Sequence, residues 1–311
     1  MNFILNKILK LLCTASILIS VLFFVSCRNE NSLQLNYSNV WNYAQSRTLQ
    51  FQCVLNSTEE MDPNVFNTVL TQISGTAALE YNRGSCTFIM QSIKVKITAG
   101  EVDFNYDSSA KYTDEKDILR NTPFAILLDK RLVCSFNESG RIINIDGYDA
   151  ITDALDQQAG RLETAFQIKR TFYDYFREDT LKFLIERITG GIPFEFVTSG
   201  SKIRMNSENV LPYGCNFRSV FRYNEITRDC HNFDITGIVT ALNEYNGIIF
   251  ELTGETTGKM KLYESSGSGS PFREGYEQSN LKGTETYPDG QELIDRPLSL
   301  TCSLQYNILN N

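Results

Sequence analysis

Apolar and polar residues alternate with period two over most of this chain. In Ile93-Lys94-Val95-Lys96-Ile97 and in Val102-Asp103-Phe104-Asn105-Tyr106-Asp107 the two kinds take turns, with Ala99-Gly100 as a turn between the runs. Successive strand residues point to opposite faces, so such runs bury one face, wet the other and pair antiparallel. Residues 47–60 read as a further strand, 67–81 contain a second apolar run, and 131–136 and 141–145 read as a hairpin around Asn137-Glu138-Ser139-Gly140. The pattern returns at 215–223, 234–242, 247–253 and 257–263, with Asn246-Gly247 as a hairpin turn. Leu298, Leu300, Cys302, Leu304 and Tyr306 share one face of a final strand.

The period changes once. Ile151, Leu155, Leu162 and Phe166 form a helical stripe, and a second helix is expected over 179–189, stopped by Gly190-Gly191 and Pro193. Phe124-Ala125-Ile126-Leu127-Leu128, after Pro123, reads as a short helix or a buried strand. Strands, then helices, then strands predict an α+β fold. The expected form is a curved antiparallel β-sheet, partial and barrel-like, with a central helical insert at about 148–190 inside a single domain over 47–311. With 42% hydrophobic and 21% charged residues the chain suits a packed body, and its 20 Phe and 15 Tyr read mostly as core.

Residues 1–26 stand apart. Lys7 and Lys10 precede an uncharged apolar run, Leu11–Val25, which is too short for a comfortable membrane span and reads as an export signal. The run ends in Ser26-Cys27 and is followed by the charged Arg28. This junction resembles the lipobox of bacterial lipoproteins. The resemblance implies cleavage after Ser26, a thioether from Cys27 to diacylglycerol, and Cys27 as the first mature residue. The other reading is an uncleaved anchor helix with an incidental cysteine. Loss of Lys7 and Lys10 takes the net charge from −8 to −10. A body so negative is expected to stand off anionic lipid on a polar tether, 27–46. Arg28, where an Asp would signal retention, resembles an outer-membrane destination. The expected location is therefore the bacterial cell envelope, with the body in the periplasm or at the cell surface.

Beyond the junction, Phe104–Ser108, Leu132–Phe136 and Ser139–Gly147 resemble bacterial envelope lipoproteins without an assigned role. That resemblance brings no catalytic residues.

Six cysteines remain: Cys53, Cys86, Cys134, Cys215, Cys230 and Cys302. Export permits disulfides, and Cys215 with Cys230, flanking a hairpin, are the first candidates. Buried thiols are the equal alternative. No CxxC is present, so neither a redox dithiol nor a zinc ribbon is indicated.

Little else carries chemistry. One histidine removes most His-based sites. His231 beside Cys230 reads as a surface residue next to a disulfide cysteine, because neighbours on a strand point apart. Asp103 and Asp107 share the wet face of a strand, as inert carboxylate pairs commonly do. Asn144–Asp149 reads as a hairpin exit capping the next helix, and Ser265–Ser270 as a flexible loop. No catalytic, cofactor or metal residues are assigned, and the negative charge argues against a nucleic-acid partner. The reading is a membrane-anchored envelope lipoprotein acting as a non-enzymatic binding or structural module. Two alternatives stand beside it: a carrier of a lipid or other hydrophobic ligand between sheet and helices, and a carboxylate-dependent hydrolase. The last would need two carboxylates facing each other in a cleft, one with a strongly raised pKa.

Overall fold

The computed structural model describes Leu33–Gln34 and residues 45–82, 84–137, 141–160, 164–189, 196–197, 200–210, 213–227, 230–245, 247–263, 272–289 and 292–309. The leader, Cys27, most of the tether and the serine-glycine segment lie outside the described residues. In chain order the elements are β1 (Leu33–Gln34), β2 (Gln45–Asp62), β3 (Val65–Asn82), β4 (Ser85–Ala99), β5 (Val102–Asp107), α1 (Glu115–Ala125), β6 (Arg131–Phe136) and β7 (Ile142–Asp146). Helices α2 (Tyr148–Ala159), α3 (Ala165–Phe176) and α4 (Glu178–Thr189) follow. Then come β8 (Phe196–Val197), β9 (Lys202–Val210), β10 (Cys215–Thr227), β11 (Cys230–Tyr245), β12 (Ile248–Tyr263), β13 (Phe272–Asp289) and β14 (Glu292–Leu309).

Twelve strands make one antiparallel sheet in the order β7-β6-β4-β3-β2-β14-β13-β12-β11-β10-β9, with β5 also on β4; β1 and β8 form a separate ladder. The fold is the expected α+β one, a curved sheet that is not closed into a barrel. Two meanders meet where β14 pairs β2 along Leu298↔Glu59 to Leu309↔Thr48. Strands of up to 18 residues cannot stay flat, and they bend where backbones crowd. A Cβ on Gly254 would lie 1.8 Å from the Asn280 carbonyl oxygen, and one on Gly283 would lie 1.9 Å from that of Glu251.

The helices cover the inner face. Ile151 and Leu155 of α2, Phe172 and Phe176 of α3, and Leu181, Ile185 and Ile188 of α4 join Leu49, Ile93, Phe221 and Leu300 in one core. Helix α4 touches both outer strands, β7 and β9, as well as β13. Arg141, beside β7, donates to Glu186 of α4 at 3.1 Å and to the Asn206 carbonyl of β9. The helix is thus the seam across the open side.

One expectation about helices needs correction and another is met in part. The stripe through Leu162 and Phe166 is not one helix. Gly160 ends α2 with φ of 58°, α3 starts at Ala165, and Phe166 is 68% exposed. Of the two forms expected after Pro123, Phe124 and Ala125 take the helical one as the end of α1, and Ile126–Leu128 leave it in a turn and a single bridge to Met90; Asp114 caps α1 by accepting from the backbone N–H groups of Lys116 (2.8 Å) and Asp117 (3.4 Å). Among the described residues no helix is long and apolar enough to cross a membrane.

Candidate functional site

Three neighbouring strands bring charged side chains to the inner face near one end of the sheet. Glu285 on β13 lies opposite Arg296 on β14, and Glu59 on β2 lies opposite Leu298, one inward position along from Arg296. Directly opposed and diagonal neighbours are within side-chain reach, so the register alone assembles the group. Arg296 Nη1 binds Glu59 Oε1 at 2.7 Å, and its guanidinium sits 5.0 Å above the Tyr287 ring. Asn67 donates to Glu59 Oε2 at 3.4 Å. Glu59 and Glu285 are buried, at 8% and 5% exposed.

These two carboxyls are close enough for the charge of Glu59 to act on Glu285, and Arg296 lies beside both. Burial, then the Glu59 charge, pushes Glu285 up to about 7, against a hydrogen bond from Tyr287 that favours its ionised form. The Tyr287 hydroxyl is pushed up too, by burial and then by Glu285. Glu59 holds the Arg296 guanidinium up. One oxygen of Glu285, Oε1, is buried without a hydrogen-bond partner.

Glu285 and Tyr287 line a cavity of about 260 Å³ between α3 and the sheet. Leu55, Val69, Ile248, Phe250 and Leu300 supply its apolar wall, and Arg170, Asp174, Tyr175 and Tyr213 its helix side and rim. Tyr175 Oη meets Thr71 Oγ1 at 3.2 Å, and the Tyr213 and Phe250 rings lie 5.0 Å apart. Burial raises both the Tyr175 and the Tyr213 hydroxyls. Among the described residues no group of three or more His, Cys, Asp or Glu side chains could hold a metal ion.

The residues singled out from sequence fall elsewhere. Cys27 lies outside the described residues. Cys215 and Cys230 carry thiols, and a bridge between them is excluded by register. Cys230 pairs with Thr227 at the far end of β10, whereas Cys215 starts that strand. At about 3.3 Å per residue they are on the order of 40 Å apart. His231 is not a surface residue beside a disulfide. It is 1% exposed, and its Nδ1 meets the Tyr223 hydroxyl at 3.2 Å. Asp103 and Asp107 do sit on a polar face, and Lys94 at 2.8 Å, with Ser109, draws Asp107 down to about 2. Gly147 does stand at the N-cap position of α2, with φ of 96°, but no side chain there makes a capping hydrogen bond.

Glu59, Glu285, Tyr287 and Arg296 drew no notice from sequence. The available signal was Asp289-Gly290, a hairpin dipeptide that marks 272–289 and 292–309 as paired strands.

The profile of a family described as a family of unknown function (DUF6263) matches residues 84–268, from β4 to just beyond β12. The match takes in the helical wall of the cavity but not Glu59, Glu285 or Arg296. No curated protein matches. Among solved structures, one on lipid–protein interactions in lipovitellin aligns with a TM-score of 0.48 at 10% identity, over 87% of this chain and 25% of that one. The chain thus spans about a quarter of that protein's length. OccK5 (OpdH) of Pseudomonas aeruginosa aligns with a TM-score of 0.26 at 8% identity, over 86% of this chain and 99% of its own.

Proposed function

We propose, for a chain that belongs to DUF6263, a family of unknown function, that it is a lipid-tethered envelope protein whose folded body binds a small ligand without turning it over. The observation that carries the binding half is the cavity under α3, where an apolar wall meets a buried carboxyl oxygen lacking a hydrogen bond. Ligand sites are typically apolar hollows with a few convergent polar groups, and this one has both. The tether half rests on the Ser26-Cys27 junction.

Size narrows the carrier reading. A cavity of about 260 Å³ holds on the order of nine waters' worth of volume at ~30 Å³ each, far less than a two-chain lipid occupies. The occupant is a small amphiphile or one end of a larger one.

The paired carboxylates, one raised to about 7, favour a second reading as a hydrolase. The engagement of Glu59 by Arg296 disfavours it. Glycoside chemistry needs carboxyls about 5–5.5 Å apart for a covalent route, or about 6.5–9.5 Å apart to admit a water. Here Glu59 is already bound to Arg296 at 2.7 Å, so it is not free to act as nucleophile or base.

Native mass spectrometry of the protein extracted from its own membrane tests the reading. The expected spectrum shows the mass of residues 27–311 with acyl chains on Cys27, and a non-covalent adduct lost on denaturation. A bare body in every charge state sinks the binding half, and a retained leader without acyl mass sinks the tether.

A further inference from the structure

We propose that the cavity under α3 selects a small organic ammonium ion, with Glu285 as its counter-ion and Tyr175, Tyr213 and Phe250 as its aromatic wall. This rests on the binding-module reading and names the ligand class for that site.

Buried carboxyl oxygens normally find donors, and Glu285 Oε1 has none while its residue lines the cavity. The carboxyl at the cavity is therefore short of one hydrogen-bond donor. A hydroxyl or an ammonium would serve, and two observations choose the ammonium. First, four of the lining residues are aromatic, beside the aliphatic Leu55, Val69, Ile248 and Leu300, and ring faces attract cations. The Tyr287 ring already has Arg296 over it, which leaves Tyr175, Tyr213 and Phe250. Second, the local charges do not balance. Arg296 is engaged by Glu59 at 2.7 Å, and Arg170 faces Asp174 at 3.9 Å. The charge that Glu285 carries once ionised has no cation of its own, and an incoming ammonium supplies it. An anionic ligand would add a further negative charge beside three carboxylates.

The groups that face Glu285 are Glu59 from β2, Arg296 from β14, Tyr287 from its own strand, Tyr213 from the approach to β10, and Arg170, Asp174 and Tyr175 from α3. With a midpoint of about 7, Glu285 is ionised at pH 8 and protonated at pH 5. An alkylammonium stays charged across that range, so the carboxyl proton is its competitor.

Calorimetric titration of the mature protein with hexylammonium, hexanol and hexanoate separates the possibilities, since the three share a tail and differ in head. At pH 8 hexylammonium is expected to bind at least about tenfold more tightly than hexanol, with hexanoate weakest. Lowering the pH to 5 should weaken the ammonium on the order of 50- to 100-fold and leave hexanol unchanged. Glu285→Gln should remove the preference for ammonium but not hexanol binding. Should that variant fail to fold, Asp174→Asn at the rim is expected to cost the ammonium about threefold. A single-chain ethanolamine phospholipid that competes with hexylammonium would identify a lipid head as the source of the amine; no competition would identify a free amine. Hexanol or hexanoate binding as tightly as hexylammonium overturns the ammonium assignment and leaves the cavity as a binding site. If none of the three binds, the binding-module reading falls and this inference with it.

Discussion

Glu285 is a cost to the fold as well as a candidate ligand group. Its midpoint is about 7 against an ordinary value of 4.5. Between those values the folded chain holds a proton that the unfolded chain has released. Stability therefore falls as pH rises from 4.5 to 7 and then levels off. At about 1.4 kcal/mol per pKa unit the loss is on the order of 3–4 kcal/mol. Glu285→Gln keeps the shape and the neutral form. It should match the parent in urea unfolding at pH 4 and exceed its stability by about that amount at pH 8. A variant as pH-sensitive as the parent would mean that the charge is compensated after all. The thiols make a second residue-scale prediction. Burial pushes Cys134 and Cys215 up to about 12 and raises Cys86 well above its ordinary value. At pH 8 their alkylation should lag an ordinary thiol by about a thousandfold in the native protein and become prompt in urea without a reductant. A thiol at Cys215 that stays unlabelled in urea until reductant is added would restore a disulfide there.

At the scale of elements, α4 is the piece to break. Its Arg187 lies 3.3 Å from Glu277 of β13, donates to Ser219 at 2.7 Å, and stacks near Phe183 and Phe221. Both partners of the pair are almost wholly buried. Arg187→Met should cost about 3–5 kcal/mol in urea unfolding, because it leaves Glu277 charged in the core. Adding Glu277→Gln should recover much of that loss, since a buried ion pair contributes little over a neutral replacement. No recovery would place the loss in packing instead. The same strand shows where sequence reading runs out. Strands 92–107 and the 131–145 hairpin could be read because their inward residues are apolar and their outward ones polar. On β13 the inward residues include Glu277, Ser279, Gly283 and Glu285, while Gln278, Asn280 and Lys282 point out. With both faces polar the alternation vanishes, and the strand carrying the candidate site disappears with it. Other features were hidden for a different reason. The closing of β14 on β2 and the approach of Glu59 to Glu285 depend on residues far apart in the chain, whereas the α2–α3 break is local, at Gly160 with its positive φ.

For the whole molecule, the two meanders support each other. The region matched by the family profile, 84–268, holds β4 to β12 but neither β2 and β3 nor β13 and β14, so alone it would bare the edges of β4 and β12 and the floor beneath the helices. That fragment is expected to lack a cooperative thermal transition that the mature chain shows; a sharp one would make it a domain in its own right. The proposed tether makes the last prediction. Each acyl methylene buried stabilises attachment by about 0.8 kcal/mol, so several chains hold firmly, whereas a body of net charge −10 is repelled by anionic lipid. Attachment should then depend on Cys27 alone. Replacing the leader with one that is cleaved without lipidation, together with Cys27→Ser, keeps export and removes only the acylated thiol. The parent is expected in the membrane pellet after a high-salt wash and the variant in the supernatant, with the same thermal unfolding. A variant that still pellets would mean that the folded body itself grips the membrane, and the exposed Met61, Val65 and Phe66 around the β2–β3 turn would be the first residues to substitute.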